Sequence, residues 1–241
     1  MSPMKSAILF DIDGTLLYAK GLGRPAFQEA FQDAYGITAD FSNISFVGAT
    51  DTRIIRDLAT QFGVTSTPAK EERFFIELTK RLDDRLRTPN AILVYPGVTD
   101  FLQALTDNGN VLGVVTGNIR ATAWSKLIHA GLAPWFTFGA YASDHPDRDE
   151  LARIACNRAH QHSAQARLLI GDTPKDIQAA HAAGLPCLAV ATGWISAAEL
   201  RNAGADAVVV DTAHGHSQGV LNVIKNACDA LPDVQIVAGN V

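Results

Sequence analysis

Apolar and polar positions along the chain fall into two regimes. At the start, the run Ala7-Ile8-Leu9-Phe10 meets Asp11-Ile12-Asp13-Gly14-Thr15-Leu16. A short apolar run closed by a glycine turn reads as a buried strand. From Leu17 to Tyr95 the apolar positions recur at helical spacing. Ala26, Phe27, Ala30, Phe31 and Ala34 form one stripe, with Gly36 as its stop signal. Ile54, Ile55, Leu58 and Phe62 form a second after Asp51, and Phe75, Leu78, Leu82 and Leu86 a third after Ser66, with Pro68 near its first turn. Glu77 and Arg81 are spaced for a surface pair on that third helix. This region is expected to be a small helical bundle without strands of its own.

From Pro96-Gly97 the pattern changes to alternating helix and strand. Helices are expected over 98–106, 120–130 and 148–160 and after Pro174, and strands over 111–115, 136–140, 167–170, 186–190 and 207–210. Such alternation argues for a parallel α/β sheet. The opening strand belongs with these strands, so the helical stretch is an insertion. The expected division is therefore 1–16 with 96–241 as one domain and 17–95 as another. After Thr212 a weak helical pattern over 220–230 has no assigned role.

Composition narrows the class. Hydrophobic residues are 47% and charged residues 19% of 241, the balance of a globular chain able to bury a core. A net charge of -5 gives no support to a nucleic-acid partner, which favours a basic stripe. Cys156, Cys187 and Cys228 are widely separated in apolar surroundings, so they are expected as small core residues of a reducing compartment. The apolar run at the start is too short for a signal peptide or a membrane span and ends in acids. A cytoplasmic protein without a membrane partner is expected.

Ligands of open α/β sheets bind outside the carboxyl ends of the strands. The first strand delivers Asp11 and Asp13, which alternation places on one side with Ile12 turned into the core. At about 4 Å and an effective dielectric near 20, two such carboxylates repel by roughly 4 kcal/mol, which favours a bound cation or a shared proton. Asp-x-Asp-Gly is also good turn chemistry. Thr116-Gly117-Asn118 ends another strand and opens a helix, offering a hydroxyl and backbone N-H groups to an anion, although Asn118 also suits a helix N-cap. The strand over 167–170 delivers Gly171-Asp172-Thr173-Pro174-Lys175-Asp176. There Thr173 suits an N-cap, Pro174 the first helical position, and Asp176 a first-turn acid, whereas Asp172 has no such local duty.

These three turns, in this order and on this fold, resemble those of the haloacid dehalogenase superfamily in its phosphatase-like branch. The resemblance runs from Asp11 to about Asp211 and includes the helical insertion, which in that family is a mobile cap. It implies a Rossmann-like parallel sheet flanked by helices, with an inserted α-helical cap. It implies that Asp11 is the nucleophile that becomes an aspartyl phosphate, and that Asp13 protonates the leaving oxygen and then activates water. Thr116 with the following backbone N-H groups of Gly117 and Asn118 would hold the phosphoryl oxygens. Mg2+ would be held by Asp11, Asp13 through its carbonyl, and Asp172, with Asp176 supporting that shell. An acid at Asp13 selects phosphate chemistry over dehalogenation, which lacks an acid there.

The family adds a cation, most often lysine, between the second and fourth motifs. Ser143-Asp144-His145-Pro146-Asp147-Arg148-Asp149-Glu150 contains none, so Arg148 is the replacement, against a rival reading as a surface residue beside a capping box of Asp147 and Glu150. Lys175 is the fallback cation, or a carboxylate partner. Phe46-Val47-Gly48-Ala49-Thr50-Asp51 resembles a cap segment of phosphoglycolate-phosphatase-like relatives. Arg24 and Asp51 are thereby candidates for the substrate's organic portion, while Thr50 or Asp51 could equally cap a helix. The expected substrate is a small-molecule phosphate ester. A phosphosugar mutase and a non-catalytic binding module are the alternatives, and the sequence sets no oligomeric state.

Overall fold

The computed structural model describes residues 5–41, 44–192 and 194–209. Its centre is a six-stranded sheet made of β1 (Lys5–Phe10), β4 (Val111–Val115), β5 (Phe136–Ala140), β6 (Ala164–Gly171), β7 (Cys187–Val190) and β8 (Ala207–Val209), in the order β5-β4-β1-β6-β7-β8. All five pairings are parallel. The chain winds outward from β1 first to one edge and then to the other. This reversal makes the carboxyl end of β1 the switch point at which open α/β sheets bind ligands.

Alternation along β1 builds a core on each face. Ile8 and Phe10 pack with Leu102 and Leu105 of α4 (Val98–Asp107) and Ala123 and Leu127 of α5 (Arg120–His129). Ala7 and Leu9 pack with Leu151, Ala152 and Ala155 of α6 (Arg148–Gln161) and Ile177 and Ala180 of α7 (Pro174–Ala182). The small residues of α6 and α7 let those helices approach the sheet closely. The result is the expected Rossmann-like α/β fold.

Between Leu17 and Val94 lie α1 (Gly23–Tyr35), α2 (Asp51–Gln61) and α3 (Pro68–Leu86). Phe27, Phe31, Phe41 and Phe74 are all buried there, and Phe27 stacks edge-on against both Phe41 and Phe74. Gly36 closes α1 in the left-handed region at φ +73° and donates its N-H to Gln32, as a helix stop does. The expected stripe on α3 is shifted at its first position: Phe74, not Phe75, is buried with Leu78, Leu82 and Leu86. Residues 74, 78, 82 and 86 hold one strict i, i+4 row, and Phe75 falls beside it.

The region also departs from expectation in having strands. β2 (Leu17–Tyr18) and β3 (Leu93–Val94) pair antiparallel where the helical segment leaves and rejoins the sheet. Two residues per strand carry no periodicity to read. A short helix, α8 (Ala197–Asn202), precedes β8 and was not expected either; Ser196 and Glu199 form its capping box. Cys187 is buried and Cys156 partly so; Cys228, the end of the strand expected at Val210, Asp211 and the pattern over 220–230 lie outside the described residues. No helix among the described residues is long and apolar enough to cross a membrane.

Candidate active site

The ends of β1, β4 and β6 converge on a cavity of about 500 Å³ between the sheet and the helical segment. Asp11, Asp13, Thr116, Gly117, Asn118, Arg148 and Asp172 from the sheet side line it, as do Arg24 and Asp51 from the helical side. Phe27, Phe46, Val47 and Ile54 give its far wall an apolar character.

Asp11 follows β1 and is 5% exposed. Its backbone N-H continues the ladder to Ile170. Carboxylate oxygens of Asp11, Asp172 and Asp176 lie within 4.8 Å of one another. Burial, the largest effect, pushes the Asp11 carboxyl well above the usual range; Arg148 opposes the rise, and Asp176 and Asp13 add to it. Burial likewise raises Asp172, reinforced by Asp11 and Asp176 and opposed by Arg148. Three buried carboxyl groups this close together are a donor set suited to a hard divalent cation.

Gly14 explains why a glycine must follow the second acid. Its φ is +85°, and a Cβ there would lie 2.1 Å from Asp172 Oδ2. The turn thus leaves room for Asp172, whose Oδ1 accepts from the Thr15 hydroxyl at 3.4 Å.

Asp176 serves the start of a helix and the acid cluster at once. It lies in the first turn of α7, where its Oδ2 accepts from the Thr173 N-H at 3.0 Å and hydroxyl at 2.6 Å. Its Oδ1 accepts from Arg148 at 2.5 Å. Both oxygens therefore already have donors, and Asp176 braces the cluster more than it opens toward the cavity.

Arg148 is the first residue of α6 yet only 7% exposed. One terminal nitrogen reaches Asp11 at 2.8 Å and Asp176 at 2.5 Å. Burial opposes its charge, but Asp11, Asp176 and Asp172 together hold it firmly protonated. Its Nε is buried without a partner among the described residues, a donor left over for a ligand oxygen. The helix cap beside it is real but simpler than a capping box: Asp147 accepts from Asp149 N-H at 2.9 Å, whereas Glu150 turns to Arg153. Lys175 is exposed and donates to Gln178 at 3.2 Å, so neither of its expected roles is seen.

The turn after β4 is held by its own side chains. The buried Thr116 hydroxyl accepts from Asn118 N-H at 3.2 Å and Asn118 Nδ2 at 2.9 Å. Nδ2 also donates to Asp13 Oδ2 at 2.7 Å. Asn118 is not the N-cap of α5: that position is Ile119, and Asn118 faces the acid instead.

Three consecutive residues fasten the helical segment to this turn and to the loop after β5. The Thr50 hydroxyl donates to Pro146 O at 2.6 Å and that of Thr52 to Ala142 O at 2.8 Å. Asp51 donates its N-H to Gly117 O at 2.7 Å and accepts the Ile119 N-H on its carboxylate at 2.9 Å. Thr50 is also the N-cap of α2, accepting from Arg53 N-H. Gly117 makes the approach possible, since a Cβ would meet Ala49 O at 2.1 Å. Burial raises the Asp51 carboxyl to about 6; the Ile119 N-H and Lys126 oppose the rise, and Asp13 adds to it.

Arg24 is spent largely on its own segment. It donates to Phe41 O and Ile44 O and lies 4.8 Å over the Phe46 ring, so it shapes the cavity wall by holding Phe41, Ile44 and Phe46. Among the cavity-lining residues that escaped the sequence reading is Lys126, 6% exposed, whose Nζ reaches Asp13 Oδ2 at 2.5 Å. Its signal was a lone lysine on the buried face of α5, beside Ala123 and Leu127.

A family model described as haloacid dehalogenase-like hydrolase matches residues 8–190, which spans the described strands from β1 to β7. The chain belongs to this family, in its phosphatase branch. Among relatives, a plasmid phosphoglycolate phosphatase of Cupriavidus necator is 30% identical over 215 residues, covering 85% of this chain and 88% of that protein. Among solved structures, CbbY from Rhodobacter sphaeroides in complex with phosphate superposes with a TM-score of 0.69 at 22% identity, covering 86% of this chain and 94% of that one, a likeness of fold.

A second family model, IMP dehydrogenase / GMP reductase domain, matches residues 150–241. An inosine-5'-monophosphate dehydrogenase of Staphylococcus epidermidis is 51% identical over 47 residues, which are 20% of this chain and 10% of that enzyme. The described part of this stretch, from α6 to β8, forms one half of the same parallel sheet.

Proposed function

We propose that the chain is a magnesium-dependent phosphatase that hydrolyses a small phosphorylated metabolite through an aspartyl phosphate on Asp11. The observation that carries this reading is the Asp11 carboxylate at the switch point, buried between Arg148 and the acids Asp172 and Asp176. Asp11, Asp172 and the Asp13 carbonyl would hold Mg2+, with Asp176 as a brace. Once bound, the ion neutralises the buried acids and draws charge from the phosphoryl oxygens.

The Asp11 carboxylate attacks phosphorus, forming an oxygen–phosphorus bond as the ester oxygen–phosphorus bond breaks. Asp13 gives its proton to the departing oxygen. In the second half, Asp13 takes a proton from water, the hydroxyl oxygen bonds to phosphorus, and the Asp11 carboxylate is released with inorganic phosphate. Arg148, through its spare Nε, and the Thr116 hydroxyl with the Gly117 and Asn118 N-H groups serve the phosphoryl oxygens, where charge stabilisation does most of the work.

Residues 17–95 act as the cap in this reading. Asp51 registers the cap on the phosphate-binding turn, while Arg24 and the aromatic wall shape the space for the organic portion. A cavity near 500 Å³ suits a small metabolite. Replacing Asp11 with Asn should abolish magnesium-dependent release of phosphate from a panel of phosphate esters while leaving the melting transition cooperative. Turnover close to wild type would overturn the assignment. Isomerised sugar phosphate without phosphate release would favour a mutase, and a folded wild-type protein inert to the whole panel would favour a binding module.

A further inference from the structure

α5 carries a lysine where its packing calls for an apolar side chain. Thr122, Ala123, Ser125, Lys126 and Leu127 are its buried positions, and Lys126 is only 6% exposed. Lysines are almost never buried this far unless paired, because the ammonium loses its hydration. The partners here are specific. Nζ donates to Asp13 Oδ2 at 2.5 Å and to Asn118 Oδ1 at 2.7 Å, while Asn118 Nδ2 donates to the same Asp13 Oδ2 at 2.7 Å. Asn118 Nδ2 also donates to the Thr116 hydroxyl.

The three side chains close a triangle. Lys126 can only donate, so it fixes which end of the Asn118 amide faces Asp13. Both donors converge on one carboxylate oxygen. The Asp13 side chain is otherwise 40% exposed to the cavity, so this triangle is what restrains its rotation.

We propose that Lys126 is a positioning residue for Asp13: with Asn118 it pins Oδ2 against the phosphate-binding turn and leaves Oδ1 turned to the leaving-group oxygen. The inference rests on the phosphatase reading and adds a residue to it. As the Asp11 oxygen bonds to phosphorus and the ester bond breaks, the leaving oxygen takes its proton from Asp13. Reach decides that transfer, since an acid must lie within hydrogen-bond distance of the atom it serves. An alkoxide needs the proton to leave; p-nitrophenolate leaves without it.

The test is Lys126→Met, which keeps the length and apolar stem but removes the donors, assayed with magnesium on an alkyl phosphate and on p-nitrophenyl phosphate. General acids contribute about 10²- to 10⁴-fold, so the alkyl ester is expected to lose at least about 10-fold more kcat than the aryl ester, with KM little changed for either. Should the methionine variant fail to fold, Lys126→Arg carries the same comparison. Its planar fork cannot occupy the place of the ammonium between Asp13 and Asn118, and the alkyl ester should again lose more. Equal losses on the two esters, or none on either, would overturn the proposal. A folded wild-type protein inactive on both would instead remove the phosphatase reading, and this inference with it.

Discussion

Arg148 touches Asp11 and Asp176 with a single guanidinium nitrogen, at 2.8 Å and 2.5 Å, inside a pocket from which all three side chains are nearly excluded from water. It therefore ties the proposed nucleophile on β1 to the acid that caps α7. Removing one partner of such a buried cluster leaves charge without compensation, at a cost of about 3–5 kcal/mol. Arg148→Met is expected to lower unfolding stability by that order and to reduce kcat by at least about 10²-fold, the loss typical of one transition-state donor. Arg148→Lys should recover much of both, because an ammonium has three donors, enough for the two acids and one to spare, provided its stem brings it to the place of the guanidinium nitrogen that bridges them. Denaturant unfolding and kcat on one ester check both halves; a methionine variant equal to wild type in both would refute the bridge.

Gly14 provides a test of the acid cluster that leaves every acid in place. In Gly14→Ala the new methyl would fall 2.1 Å from Asp172 Oδ2, on a backbone with φ of +85° that side chains disfavour. Asp172 must then move. Magnesium affinity measured by calorimetry is expected to drop by about 10- to 100-fold, as when groups supporting metal ligands are disturbed. Unchanged affinity in a folded variant would show that Asp172 is not a ligand.

The acids were legible because each lies at or just beyond the end of a strand or in the first turn of the helix that follows, and strand ends in this fold class converge. Asp11, Asp13, Asp172 and Asp176 could be read without coordinates for that reason, as could the apolar runs of β1, β4 and β6. Arg148 was harder, since the first turn of a helix is ordinarily a surface position. What stayed hidden depended on contacts across long sequence separations. Lys126 meets Asp13 across 113 residues, and Thr50 meets Pro146 across 96. Lys126 has no local pattern beyond a polar residue on a buried face, and that of Thr50 announces only a helix cap. Arg24 points the other way: its place at the entry to the helical segment suggested a ligand, but nearby carbonyls claim two of its donors.

The raised carboxyls set the pH response of the metal-free protein. Asp11, Asp172 and Asp51 all sit above their ordinary range in the folded chain, Asp51 at about 6. Between about pH 4 and those folded values, the folded chain binds more protons than the unfolded one, so their contribution to stability falls as pH rises. Glu29, Glu71, Asp83, Asp144 and Asp206 are held low instead. Their stabilisation is complete above the ordinary carboxylate range and is lost only on acidification below it, outside this window. The Tm of chelator-treated protein should therefore decline from pH 5 to pH 8. Magnesium should reverse the decline, with a larger gain at pH 8, where the acids are ionised and ready to bind. At 100 times the dissociation constant the gain is about 2.7 kcal/mol. Asp51→Asn should flatten the slope only below about pH 6 and leave the magnesium effect intact, because Asp51 contacts the turn after β4 and not the acid cluster. Melting curves at matched ionic strength decide it: a Tm that rises from pH 5 to pH 8 without metal would mean that burial does not hold these three carboxyls above their ordinary range.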